Sequence, residues 1–197
     1  MEPLVCAGRP VPDAVDRIRR YCGLAWSGGG PEVWAYAYFD VLPTGPPDEL
    51  GPVDVLAAAA LHPGLSRAEL EYFVIARGQL EDWLAGVADV DLANAADDEI
   101  AVLRLLPSLT GGLVSLSLLT KVLHRKRPGL IPLCDRAVLD WYRPMTGARG
   151  ERAWPALIDA LQVDTANPNN GLVLATAPAA IRPLRALDIA VWMGATR

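Results

Sequence analysis

An all-α fold is predicted for this chain, as one compact domain over residues 1–197 with about eight short helices. The length of 197 residues suits one domain with a sizeable core, and 52% of the residues are apolar. Seventeen prolines and seventeen glycines divide the chain into short segments. Most of these segments space their apolar residues as helices do, and neither a repeat nor an alternating strand–helix pattern is evident.

The N-terminal half is expected to form helices separated by loops rich in Pro and Gly. Pro12 and Asp13 open an amphipathic stretch, and Ser66 and Glu69 form the S-x-x-E capping box of a later helix. The stretch 32–40 (EVWAYAYFD) fits either a strand or a helix. Helices are thus predicted at about 12–24, 53–61 and 66–83, with loops at 27–31 and 44–52.

The C-terminal half carries clearer helix boundaries. Asp97-Asp98-Glu99 places negative charge where a helix N-terminus favours it, and Pro128 stops a long apolar helix. Asp135 is well placed to N-cap the helix that follows it. Helices are predicted at about 97–107, 113–126, 136–142, 154–162 and 183–193, the last closed by Gly194.

The sequence lacks the motifs of most metal-, nucleotide- and dinucleotide-dependent enzymes. Three cysteines form no CxxC pair and only two histidines are present, so we expect no metal and no cofactor. HExxH, GxSxG, Walker and GxGxxG sequences do not occur. The N-terminus shows no signal-peptide pattern and no stretch approaches a membrane span, which predicts a cytoplasmic protein without a membrane partner.

Positive charge is concentrated in one part of an acidic chain. Residues 121–152 hold eight Lys or Arg against three acidic residues, a net charge of +5 within a chain of net charge −5. The remainder of the chain therefore carries −10. Such a local basic face can steer one anionic ligand without general affinity for nucleic acid. The other interpretation is a solvated, charged helix end.

The segment KVLHRKRPGLIPLCD, residues 121–135, joins a helix end, three consecutive cations, a Pro/Gly loop and one carboxylate. Its helix carries a polar edge at i, i+3, i+4 and i+7, formed by Ser117, Thr120, Lys121 and His124. This edge either lines a pocket or faces water. The cations Arg125, Lys126 and Arg127 either bind phosphate or complement the negative C-terminal end of their helix.

This segment resembles the shared centre of an uncharacterised family of bacterial proteins, approximately K-L-L-x-x-K-R-P-x-L-I-P-x-x-D. The matching positions run from Lys121 to Asp135. The resemblance extends to Phe39-Asp40, to residues 53–57 and to residues 184–192, which covers most of the chain. That family implies no established activity.

More distantly, the segment is similar to the centre of the helix-hairpin-helix DNA glycosylase superfamily. In that superfamily a hairpin and a helix lead through a Gly/Pro-rich loop to a catalytic aspartate, and Asp135 occupies that position. The resemblance implies that Asp135 stabilises the cationic sugar formed as a base leaves, after the base is flipped out. Ser117, not Lys121, falls at the Schiff-base lysine position, which favours the monofunctional pattern. The paired glycines, Gly111 and Gly112, lie slightly before the positions of the superfamily hairpin.

Each candidate residue also has a structural interpretation. Asp135 can serve only as a helix cap, and Lys121 can be a surface lysine instead of a catalytic one. His124 is either an acid–base group or a structural histidine. Trp34, with neighbouring aromatic residues, either stacks on a base or lines the core. Asp188 is expected to pair with Arg185, three residues before it.

Three function hypotheses follow. The leading one is a glycosylase-like protein that recognises or acts on a nucleic-acid base or nucleoside. Its predicted catalytic residues are Asp135 and Lys121, and its predicted substrate-binding residues are Ser117, His124, Arg125, Lys126, Arg127 and Trp34. The second is an enzyme or binder for a small anionic metabolite that uses the same basic pocket. The third is a non-catalytic helical protein that binds other proteins.

Overall fold

A computed structural model describes residues 2–24, 35–62 and 64–195 of the chain, and within them the all-α prediction is confirmed. One short antiparallel hairpin, β1 (Val5–Cys6) and β2 (Arg9–Pro10), precedes the helices. No described helix is long and apolar enough to cross a membrane. Trp34 lies outside the described residues, and so does Trp26.

The N-terminal half contributes five helices within the described ranges. They are α1 (Ala14–Tyr21), α2 (Tyr36–Phe39), α3 (Pro52–Ala58), α4 (Arg67–Ile75) and α5 (Arg77–Ala85). The predicted capping box begins α4, because the Ser66 hydroxyl accepts from the Glu69 amide and the Glu69 carboxylate accepts from the Ser66 amide. The ambiguous stretch 32–40 is helical where it is described, in α2.

The C-terminal half contributes seven more described helices. They are α6 (Asp97–Arg104), α7 (Leu106–Leu109), α8 (Leu116–His124), α9 (Arg136–Thr146), α10 (Trp154–Ala166), α11 (Pro168–Leu174) and α12 (Pro183–Ala195). A turn joins α7 to α8 through Gly111 and Gly112, whose φ angles of 56° and 69° lie in the left-handed region that favours glycine.

The described helices are shorter and more numerous than the sequence predicts. The predicted helix 66–83 bends at Ala76 into α4 and α5, two residues before Gly78, a poor helix former. The sequence predicts that Gly194 closes the last helix, but Gly194 lies inside α12. A Cβ there would clash with the Arg17 guanidinium, so this glycine lets Arg17 lie against the surface of α12.

Helix α8 lies in the core, and this position decides the environment of the candidate residues. Eight of its residues are buried, and only Ser117 is partly accessible. Helix α3 packs against α8, and α9 packs against α12, which is buried along most of its length. The polar residues of the KVLHRKRPGLIPLCD segment are therefore carried into the interior, where each polar group needs a partner.

Candidate active site

The three consecutive cations at the end of α8 are buried. Arg125, Lys126 and Arg127 are 7%, 4% and 4% exposed. A buried charge is costly unless it is paired and hydrogen-bonded. The structure supplies those partners from within the chain.

Asp54 is the shared counter-ion of two of these cations. Its side chain is 1% exposed, and its two oxygens lie 3.3 Å from Nε of Arg125 and 2.8 Å from Nζ of Lys126. The same carboxylate accepts from the Gly51 amide at 2.9 Å, at the start of α3. Asp54 therefore ties α3 to the end of α8.

Backbone carbonyls accept most of the remaining donors. Arg125 donates to the carbonyls of Phe39, Leu42 and Pro43, and Lys126 to that of Pro46. Arg127 donates to the carbonyls of Pro47, Leu84 and Val87 and pairs with Asp48. The cations thus fasten the Pro-rich loop 42–48 onto α8. This geometry favours a structural role for them over phosphate binding.

His124 is also enclosed by protein. Its Nδ1 lies 2.6 Å from the Ile131 carbonyl oxygen, and its ring stacks on Phe39 at a centroid distance of 5.9 Å. Burial, with the nearby charge of Arg185, lowers the pKa of His124 to about 4. His124 is therefore neutral near pH 7, with Nδ1–H as the donor to Ile131.

The polar edge of α8 does not line one pocket. Ser117 borders an open cleft together with Cys134 and Arg136. Thr120 is buried, and its hydroxyl oxygen accepts from the Cys134 amide at 3.0 Å. Of the four residues, Lys121 is the one that reaches Asp135.

Lys121 and Asp135 meet at the start of α9. Nζ of Lys121 lies 3.4 Å from Oδ2 of Asp135 and donates to the Leu61 carbonyl at 2.6 Å. The other Asp135 oxygen, Oδ1, accepts from the Ala137 amide at 3.0 Å. Asp135 is therefore a helix cap through one oxygen and the partner of a buried lysine through the other. Its side chain remains 21% exposed, whereas that of Lys121 is 4% exposed.

A second carboxylate, Asp188 of α12, lies beside this pair. The expected pairing of Asp188 with Arg185 is confirmed, through Oδ2. Oδ1 of Asp188 is buried and has no hydrogen-bond partner among the described residues. Burial raises the pKa of Asp188 to about 6; Arg185 opposes this increase and Asp135 adds to it.

Arg185 holds Asp188 in place through a buried network. Its Nε donates to Asp40 at 2.7 Å, and its Nη2 donates to the Tyr21 hydroxyl at 2.6 Å. Tyr21 in turn donates to Asp40 at 2.7 Å. With every nitrogen of its guanidinium engaged, Arg185 fixes one oxygen of Asp188 and leaves the other turned away from it.

These groups enclose a niche of about 10 Å³, close to the space that one water molecule needs. It is lined by Leu61, Lys121, Leu133, Asp135, Arg185, Asp188 and Trp192. His62 lies beside it, and burial and the charge of Lys121 lower the pKa of His62. The niche thus combines one accessible carboxylate, one buried carboxylate with a free oxygen, and a buried lysine.

Sequence reasoning missed Asp188 as a niche residue and Asp54 as a counter-ion. Asp188 stands 53 positions after Asp135 in an apolar helix, and no local pattern links the two. The described residues contain no group of three or more His, Cys, Asp or Glu side chains arranged to hold a metal ion.

Residues 14–195 match the model of a family described as a family of unknown function (DUF6308). The chain belongs to this family. The match runs from the start of α1 to the end of α12 and so includes every residue of the niche. The chain has no match among the curated proteins or the solved structures. Membership of a family without an assigned activity is thus confirmed, whereas the likeness to glycosylases stays a prediction.

Replacing Asp54 should show how much the buried cations depend on it. Asp54→Asn leaves Arg125 and Lys126 without a counter-charge in the interior, and we expect a loss of about 3–5 kcal/mol of unfolding free energy. Asp48→Asn is the matched control, because Asp48 pairs with Arg127 but its side chain is 50% exposed. The control should lose less than about 1 kcal/mol. Urea unfolding measures the free energy of unfolding of both variants. Equal losses in the two would contradict the assignment of Asp54 as the buried counter-ion.

His124 should make the protein sensitive to acid. Its pKa is lowered on folding, so its stabilising contribution is present above about pH 6.5 and is lost as the pH falls toward 4. The loss should be on the order of 3 kcal/mol. The raised pKa of Asp188 acts in the opposite direction over a similar range. Urea unfolding should therefore be measured from pH 7.5 to 4 for the unaltered protein and for His124→Asn. As the pH falls, the variant should lose less stability than the unaltered protein does, or gain stability, because only the Asp188 contribution remains. Parallel curves would refute this role of His124.

Proposed function

We propose that this protein hydrolyses the N-glycosidic bond of a nucleobase, with Asp135 as the carboxylate beside the sugar. One observation carries the proposal: a capped, partly exposed carboxylate adjoins a niche of about 10 Å³ that a second carboxylate lines. Cleavage of such a bond needs a negative charge near the developing sugar cation and a base for the attacking water. Two carboxylates border this one small niche, one for each of these two roles.

Asp135 suits the first role. Its contacts with the Ala137 amide and Lys121 fix the orientation of the carboxylate. The exposed part of the group is then available to a substrate arriving from solvent. Lys121 is a positioning residue under this proposal, because it holds Asp135 and does not form a covalent bond with the sugar.

Asp188 suits the second role. A carboxylate with a pKa of about 6 is a stronger base than an ordinary one and is still ionised at pH 7. Under this proposal, a water molecule bound in the niche attacks the anomeric carbon and gives a proton to Asp188, which then releases it to solvent. The C–N bond breaks with its electron pair moving to the base, which takes a proton from solvent. The products are the free base and the hydroxylated sugar.

Substrate entry requires a movement near Leu61. The Lys121–Leu61 hydrogen bond closes one side of the niche, and the present volume has no room for a sugar. Under this proposal, release of that bond would widen the niche at Leu61. A base or nucleoside would need a smaller opening than duplex DNA would. The phosphates of duplex DNA also cannot pair with the buried cations at the end of α8.

Asp135→Asn should abolish base release. Asparagine caps a helix as well as aspartate does, so the variant removes the charge and keeps the cap. We expect the rate of base release to fall at least about 100-fold, measured by chromatography with nucleosides, nucleotides and oligonucleotides carrying normal and modified bases.

Two further variants separate catalysis from folding. Asp135→Asn combined with Lys121→Met leaves no unpaired lysine in the niche and should remain folded and inactive. Asp97→Ser removes an exposed carboxylate from the first turn of α6 and should keep full activity. Undiminished base release by folded Asp135→Asn would overturn the proposal. No release by the unaltered protein from any substrate would instead favour a metabolite binder or a non-catalytic protein.

The rate of base release should rise with pH through about 6 and level off above it. Asp188 acts as a base only when ionised, and ionisation is complete above its raised pKa. Asp188→Asn should lower the maximal rate and remove this rise. A rate that falls across the same pH range would assign Asp188 the opposite role, that of an acid.

A further inference from the structure

The basic segment 121–152 divides into a buried part and an exposed part. Lys121 and the three cations after His124 lie in the interior. The other four cations are exposed, and they are Arg136, Arg143, Arg149 and Arg152. Three of these four, all except Arg152, line the same open cleft of about 480 Å³. The positive charge that remains available to a ligand is therefore gathered at one place.

Within this cleft one cation has no partner. Asp140 contacts Arg143 and lies 3.7 Å from Nε of Arg136. Glu151 accepts from the Leu116 amide at 3.0 Å, so its carboxylate is engaged at the start of α8. The Arg149 guanidinium has no hydrogen bond or ion pair within the described part of the chain. Its guanidinium is thus free to take an anion, and the Ser115 and Ser117 hydroxyls border the same space.

The cleft adjoins the Asp135 niche through two elements. Cys134 and Arg136, which line the cleft, are the residues on either side of Asp135. On α8, Ser117 borders the cleft and Lys121, about one turn later, borders the niche. The cleft and the niche are therefore neighbours along both α8 and the start of α9.

We propose that this cleft binds a phosphate group, with Arg149 as its principal ligand and Arg136 and Arg143 beside it. Guanidinium groups match phosphate oxygens in geometry and charge. The volume falls within the range of small-molecule sites. The further assignment of this phosphate to the substrate, as a nucleotide or an oligonucleotide, rests on the proposed function.

Binding should be measured in the Asp135→Asn background, so that no ligand is cleaved. The probes are inorganic phosphate, each deoxynucleoside with its 5′-monophosphate, and a short single-stranded oligodeoxynucleotide, by calorimetry at low salt. Each monophosphate should bind more tightly than its nucleoside. Arg149→Ala should weaken monophosphate binding about tenfold and leave nucleoside binding unchanged. Tighter binding of the oligonucleotide than of the monophosphate would identify a polynucleotide as the source of the phosphate. The reverse preference would identify a free nucleotide, and either preference supports the site.

The matched control is Arg19→Ala, because Arg19 is an exposed arginine of α1 whose guanidinium has no hydrogen bond or ion pair among the described residues. It should leave binding of every probe unchanged. Equal effects of the two substitutions, or equal affinity for nucleoside and monophosphate, would overturn the phosphate site. Arg149-dependent phosphate binding without base release by the unaltered protein would overturn the proposed function alone. Base release that is unaffected by Arg149→Ala, together with unchanged binding, would overturn this inference alone.

Discussion

The buried carboxylate of Asp54, set between Arg125 and Lys126, is the interaction on which the arrangement of the candidate site depends. Two cations at the end of a buried helix require a counter-charge, and α3 supplies it. The Pro-rich loop 42–48 supplies the carbonyl oxygens that satisfy the remaining donors. Helix α8 is thereby fixed at its C-terminal end. Lys121, one turn earlier, is held in place with it.

From this anchored helix the chain passes through a short loop to Asp135. The loop is tied back to α8 at His124, which contacts the Ile131 carbonyl, and at Thr120, which accepts from the Cys134 amide. Two such contacts leave little freedom in where α9 begins. The Asp135 carboxylate therefore meets Lys121 because the backbone on both sides is fixed.

Charge has two separate uses in this protein. Inside, cations are matched by carboxylates and carbonyls, and they organise loops that have no regular hydrogen bonding of their own. Outside, the arginines that follow Asp135 gather around an open cleft, where one of them lacks a partner. Between these regions lies a niche whose two carboxylates differ in exposure. That difference in environment permits different chemical roles for two identical side chains.

The sequence alone determined the helical class, the capping box of Ser66 and Glu69 and the role of Asp135 as a helix cap, because these depend on residues within a few positions of one another. It also marked the segment 121–135 as unusual. It did not determine whether the three cations face water or the interior, since their partners at Asp54 and in the loop lie about 70–80 positions earlier. Asp188 lies near Asp135 only because α12 packs against α9. Only the tertiary structure decided which charges are buried and which are free, because burial depends on the surfaces that distant segments bring together.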